Sequence, residues 1–187
     1  MLDTSPIYGA MQRPSMVDYP GRMASVLFTT GCNFRCGFCH NAALLGAPRP
    51  GYTWEQLGAM CDRYRRNWVT AVVITGGEPT LAPRVKDTVD FFRDRGFEVK
   101  LDSNGSRPDT LAELLPLVNY VAMDIKCCLD QYGEFVGFAD TSAIVRSIGL
   151  LNAGSTPYEF RTTVIEGVHR PEDFHALGTL AEGAPSF

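Results

Sequence analysis

The chain contains no apolar run approaching the ~20 residues of a membrane-spanning helix. It also has no tract of Lys or Arg, no internal repeat and no low-complexity stretch. Its start, MLDTSPIYGAMQRPSMVDYPG, lacks a positive segment followed by an apolar one, so no secretory signal is visible. Seventeen Lys and Arg stand against 21 Asp and Glu, a net charge of −4. So weak an acidic balance argues against nucleic acid or a membrane surface as the main partner. Together these absences set the expectation of a cytoplasmic protein. What remains is 187 residues, 45% hydrophobic, with 18 Gly and 12 Pro. That is the composition of one globular domain with a sizeable core.

Six cysteines then need a reason. Cytosolic thiols stay reduced, so a disulfide scaffold gives way to metal binding or catalysis. Cys32, Cys36 and Cys39 cluster in one short stretch, whereas Cys61, Cys127 and Cys128 are scattered.

From residue 24 onward, apolar β-branched runs alternate with helix-period segments. Ala24–Thr29 predicts a buried strand, and Thr53-Trp54-Glu55-Gln56 has the capping-box spacing ahead of a stripe of Trp54, Leu57, Cys61 and Tyr64. Val69–Ile74 predicts a second strand. Arg84–Arg95 predicts a helix stopped by Gly96. The pattern continues with a strand at Phe97–Leu101, a helix at Asp109–Leu115 and a strand at Asn119–Ile125. A loop follows at Lys126–Asp140, then a helix at Thr141–Ala153, a strand at Tyr158–Ile165 and a helix at Pro171–Ala181. Such alternation predicts an α/β fold of parallel strands joined by right-handed crossovers. Residues 1–20 read as an N-terminal extension and 21–187 as the βα core of a single domain.

Polar residues gather where these strands end. The cysteine loop follows the first strand, Gly76-Gly77-Glu78-Pro79 the second, Asp102-Ser103-Asn104-Gly105 the third, and Asp124 and Lys126 the fourth. In parallel α/β architectures ligands bind at the carboxyl ends of the strands, so four turns aim polar groups at one mouth.

Cys32-x-x-x-Cys36-x-x-Cys39 offers three soft thiolates, which favour zinc or an iron–sulfur cluster. Structural zinc and cubane clusters both normally take four protein ligands, so three leave one position vacant. His40 is adjacent to Cys39, which makes joint ligation of one metal awkward, and Cys61 sits on a helix face. Alone, the cysteine loop also fits a partial zinc site, and the glycine turns fit ordinary turn chemistry.

Taken in order, SMVDYPG, GCNFRCGFCHN, ITGGEPTL, LDSNG, VAMDIK and YEFRTTVI resemble the radical S-adenosylmethionine (SAM) superfamily. Within it they are similar to the glycyl-radical-enzyme activating proteins, especially those of anaerobic ribonucleoside-triphosphate reductase. The resemblance runs from about residue 14 to the end. It implies an incomplete (βα) barrel, of which this chain supplies five βα units, with the sixth strand missing or truncated beyond Ala184-Pro185-Ser186-Phe187. It implies that Cys32, Cys36 and Cys39 hold three irons of a 4Fe–4S cluster, with SAM chelating the fourth. Phe38 and His40 would lie along the adenosine, and Gly76, Gly77 and Glu78 would meet the methionyl amino group. Asp102, Ser103, Asp124 and Lys126 would line the SAM pocket, with Arg161 as a carboxylate partner and His175 near SAM. The implied chemistry is reductive cleavage of SAM to a 5′-deoxyadenosyl radical, which takes a hydrogen from a glycine Cα in a partner enzyme. The implied partners are an anaerobic ribonucleotide reductase and an electron donor such as flavodoxin or ferredoxin.

Two other classes stay open. One is a small radical SAM enzyme acting on a small molecule such as a deazapurine precursor; the other is a non-catalytic zinc- or cluster-binding module. Cys61 reads as core, Cys127 and Cys128 as incidental, and His169 as a loop residue. Asp18 and Tyr19 carry a motif without an evident physical role.

Overall fold

A computed structural model describes residues 4–11 and 13–186. Six strands form one sheet in sequence order: β1 (Ile7–Ala10), β2 (Ala24–Thr29), β3 (Ala71–Gly76), β4 (Glu98–Ser103), β5 (Tyr120–Asp124) and β6 (Tyr158–Arg161). β2 to β6 are parallel. β1 pairs antiparallel with β2. The sheet therefore has six strands where five were expected, the additional one coming from the stretch read as an extension. Being four residues long, with a register shift between Ile7 and Gly9, β1 has too little alternation to announce itself.

The helices are α1 (Trp54–Arg66), α2 (Val85–Arg93), α3 (Pro108–Leu114), α4 (Tyr132–Val136), α5 (Thr141–Ala153) and α6 (Asp173–Leu180). α1 starts on the reciprocal capping box of Thr53 and Gln56 that the spacing predicts. α2 ends before Gly96, whose φ of 73° is the left-handed conformation that terminates a helix. The final strand is shorter than Tyr158–Ile165. The segment 126–140 is not simply a loop, because it contains α4.

The sheet has two unlike faces. Leu27, Val72, Ile74, Val99, Leu101, Val121, Met123 and Phe160 join the main core with the buried helix residues. On the opposite face a smaller apolar floor is made by Ala24, Val26, Ala71 and Val73 with Tyr19 laid across them. The Tyr19 hydroxyl donates to Glu98 at 3.3 Å, which gives the SMVDYPG motif a physical role: it closes the inner face. The sheet does not close into a barrel. At its far edge the Phe160 N–H donates to the Ser186 carbonyl at 3.1 Å, so the last described residue covers part of β6.

Candidate active site

A cavity of about 830 Å³ opens at the carboxyl ends of the parallel strands. Cys32, Cys36, Cys39, Phe38, His40, Gly76, Gly77, Glu78, Asp102, Ser103, Asp124, Lys126 and Arg161 all line it. The side chains that strand-end reasoning had collected are thus in one place. His175 is not among them: it lies exposed on α6, outside the cavity. Asn104 of the same strand-end turn faces it as well, as do Asp18 and Glu159, which that reasoning did not assign.

The cysteine loop is held from both sides. Its first turn is bonded to the second strand's turn through Gly77 N–H to Thr29 O (3.0 Å) and Glu78 N–H to Gly31 O (2.8 Å). A Cβ on Gly77 would stand 2.0 Å from the Gly31 carbonyl oxygen, so this turn admits only glycine. The glycines therefore serve the approach of backbone to backbone, ahead of any approach to a ligand. On the other side, Arg35 N–H donates to Val136 O at 2.7 Å, and Phe34 packs edge-on against Tyr132 at 6.1 Å. Phe38 stacks on Phe135 at 5.2 Å. α4, the helix hidden in the expected loop, is the wall on which the cysteine loop rests.

Glu78 is fully buried. Its carboxylate accepts from Thr80 N–H (3.0 Å), Thr80 Oγ1 (2.5 Å), Ser103 Oγ (3.0 Å) and Asn104 N–H (2.6 Å). Burial pushes its pKa up, and those donors pull it back. The side chain ties the GGEP turn to the DSNG turn, which leaves its backbone as the part of it available to a ligand.

The cavity floor is an alternating ion network. Lys100, itself buried, lies 2.7 Å from Asp102 and 3.8 Å from Glu159. Arg161 bridges Asp102 at 3.3 Å and Asp124 at 3.1 Å, and Lys126 pairs with Asp124 at 2.8 Å. Burial raises the Asp124 pKa, but Lys126 and Arg161 outweigh it and hold the carboxyl below its ordinary value. Burial lowers the Lys126 pKa, and Asp124 more than reverses this. Arg161 is thus already engaged by two aspartates rather than waiting unpaired.

Lys126 is clamped through its backbone. Its N–H donates to the Tyr132 hydroxyl at 3.0 Å, and its carbonyl lies 2.9 Å from His169 Nε2. His169 Nδ1 accepts from Ile165 N–H at 3.0 Å, so Nε2 carries the proton and donates. His169, which does not line the cavity, thus supports the backbone of a residue that does. No sequence pattern marked it, because it acts on a main-chain atom across 43 residues.

The cysteines divide cleanly. Cys61, Cys127 and Cys128 are buried in the main core. Burial pushes the Cys127 thiol up to about 12 and raises Cys61 and Cys32 alike to about 11, so it is position rather than acidity that separates the two sets. Cys32, Cys36 and Cys39 remain partly exposed at the cavity. Among the described residues no group of three or more His, Cys, Asp or Glu converges closely enough to hold a single metal ion. A cubane cluster does not require convergence, since each cysteine binds a different iron. Three loop thiols beside a roomy polar cavity fit such a cluster with one iron left for a ligand.

The Radical SAM superfamily model matches residues 26–177. A protein of Methanocaldococcus jannaschii, named provisionally as a glycyl-radical enzyme activating enzyme, is 36% identical over 171 residues, covering 87% of this chain and 70% of that protein. The pyruvate formate-lyase-activating enzyme of Clostridium pasteurianum is 28% identical over 75% of this chain and 63% of its own length. A 7-carboxy-7-deazaguanine synthase of Neisseria meningitidis serogroup B is 29% identical over 52% of this chain and 41% of that enzyme. The chain thus spans less than two thirds of these last two relatives. Among solved structures, TYW1 with a lysine-pyruvate adduct bound aligns with a TM-score of 0.67 at 20% identity, over 89% of this chain and 66% of that one, which is a likeness of fold. With the family pattern matched across most of its length and the three thiols set at the mouth of the sheet, the chain belongs to the radical SAM superfamily, whose cofactors are a 4Fe–4S cluster and S-adenosylmethionine.

Proposed function

We propose that this protein is a glycyl-radical-enzyme activating enzyme, with Cys32, Cys36 and Cys39 as the cluster ligands. The observation that carries the reading is the cavity itself: three loop thiols and a charge-matched floor share one open space at the strand ends. The 36% identical relative supports the activating class. Cys32, Cys36 and Cys39 would hold the cluster, which with SAM would supply one-electron reductive cleavage chemistry and hydrogen abstraction from a glycine Cα.

The chain's own residues bind and orient. SAM brings an amino group, a carboxylate and a sulfonium, and the alternating Asp102, Arg161, Asp124 and Lys126 floor meets both signs of charge. Because these groups are held by one another before the ligand arrives, little reorganisation is needed at the moment of reaction. Phe38, backed by Phe135, offers an aromatic face to the adenine. Gly76 and Gly77 present main chain to the methionyl end. The motif resemblance supports an anaerobic ribonucleoside-triphosphate reductase as the partner and a flavodoxin or ferredoxin as the electron source.

Anaerobic reconstitution, reduction with SAM present and quantification of 5′-deoxyadenosine test the radical chemistry. Candidate glycyl radical enzymes are then added while a protein-centred EPR doublet is sought. A doublet with the reductase is the expected outcome. Absence of 5′-deoxyadenosine rejects the chemistry, and absence of a doublet with every candidate rejects the partner class. The second reading, a small-molecule reaction, is favoured by the similarity to the deazaguanine synthase. It is distinguished by metabolite turnover without any protein partner.

A further inference from the structure

We propose that Asn104 tunes the reduction potential of the cluster by donating its side-chain N–H to the Cys32 sulfur. The inference rests on the reading of Cys32 as a cluster ligand and goes beyond it. Asn104 sits in the turn after β4 and is buried. Its orientation is fixed by its own network: Oδ1 accepts from Ser106 N–H at 3.0 Å, so the NH₂ group must face the other way. From there one N–H reaches Asn33 Oδ1 at 3.1 Å, and Nδ2 lies 3.9 Å from Cys32 Sγ. Asn33 is held in turn, its Nδ2 donating to Ser106 Oγ at 2.9 Å and its Oδ1 accepting from that hydroxyl at 3.2 Å. The Asn104 backbone N–H is anchored on Glu78. A second donor, Phe34 N–H, approaches the same sulfur at 3.4 Å.

The donor is thus locked in place before any metal binds. A thiolate on a cluster carries more negative charge in the reduced state, so an N–H aimed at its sulfur stabilises that state and raises the potential. The donor itself is buried, and a hydrogen bond from a buried amide is stronger than one from an amide in water. Asn104 touches the ligand rather than the reacting atoms, so it acts as a positioning residue. The residues that secure it, Asn33, Ser106 and Glu78, come from three different turns, so the tuning depends on those turns closing together.

The test is potentiometric EPR titration of the reconstituted cluster without SAM. Asn104→Ala is expected to shift the one-electron midpoint to more negative values, raising the oxidised-to-reduced ratio at a fixed potential about tenfold, or about 59 mV. Asn104→Asp shifts it further, because a carboxylate replaces the donor and adds charge. Ser106→Ala, which keeps the backbone donor to Asn104 but frees Asn33, shifts the potential in the same direction and by less than Asn104→Ala. In the wild type, pulsed EPR with asparagine labelled with ¹⁵N at the side-chain amide shows a coupling that is lost in the Asn104 variants. This second readout decides the matter where a variant takes up the cluster poorly. A cluster-loaded Asn104→Ala protein with unchanged potential, or a wild type without the coupling, overturns this inference alone. A wild type that takes up no iron overturns the ligand assignment and this inference together.

Discussion

The two faces of this sheet are built from the same strands yet do opposite work. Towards the helices, alternate positions carry Leu27, Ile74, Leu101 and Met123, which are fully buried. One residue along, the other face carries Lys100, Asp102, Asp124, Glu159 and Arg161, every one of them bonded to another. The first face binds through area removed from water and is indifferent to direction. The second binds through oriented charges, four of which line the cavity. The same alternation of side chains therefore separates stability from chemistry across the thickness of one sheet.

The sharpest way to break the comparison is on the chemical face. Cys36→Ser is expected to abolish 5′-deoxyadenosine formation and lower iron uptake, while the far-UV CD spectrum stays that of the wild type, because Cys36 only borders the core and serine is nearly isosteric with it. A variant that retains activity removes Cys36 from the cluster.

On the opposite face the prediction inverts. Leu101→Ala deletes a fully buried side chain and should cost about 2–5 kcal/mol in urea unfolding. A value under about 1 kcal/mol would show that the helix side is not the main source of stability.

Asp124→Asn sits between these extremes. It removes charge-assisted hydrogen bonds to Lys126 and Arg161 and should cost about 1–3 kcal/mol near neutral pH, along with weaker SAM binding. The carboxyl's pKa is depressed below its ordinary 3.8, so the stabilisation is present above that value and is lost as the pH falls through the lower folded value. Unfolding curves of the two proteins measured from pH 7 downward should converge in acid. Curves that stay parallel would assign the loss to packing rather than charge.

The smallest effect belongs to neither face. Thr53→Ala removes the side-chain half of the α1 capping box and should cost about 1 kcal/mol with SAM cleavage unchanged.

Much of the chemical face was legible before any coordinates. The CxxxCxxC loop, the GGEP and DSNG turns, and Asp124 and Lys126 all follow strands whose apolar runs are plain in the chain, and all line the cavity. The capping box and the Gly96 stop are equally local signals. The misreadings share a cause. α4 has five residues including Gly133, too few for a helical period to show, yet it supports the cysteine loop. β1 is short and irregular in register. His169 acts through Lys126 O and Ile165 N–H, contacts that leave no trace in spacing, whereas His175 resembled a known pattern and lies outside the cavity. Arg161 lines the cavity as the strand-end position suggested, but its two aspartate partners lie on other strands and leave no trace in spacing.

The order of strands and helices, the positions of the turns and the identity of the thiols were determined by the sequence itself, because each depends on residues within a few places of one another. Which residues share the cavity, how the charges across β4, β5 and β6 cancel, and which amide faces Cys32 were decided only by the tertiary structure. Those are sums over distance, and distances between remote residues exist only once the chain has folded.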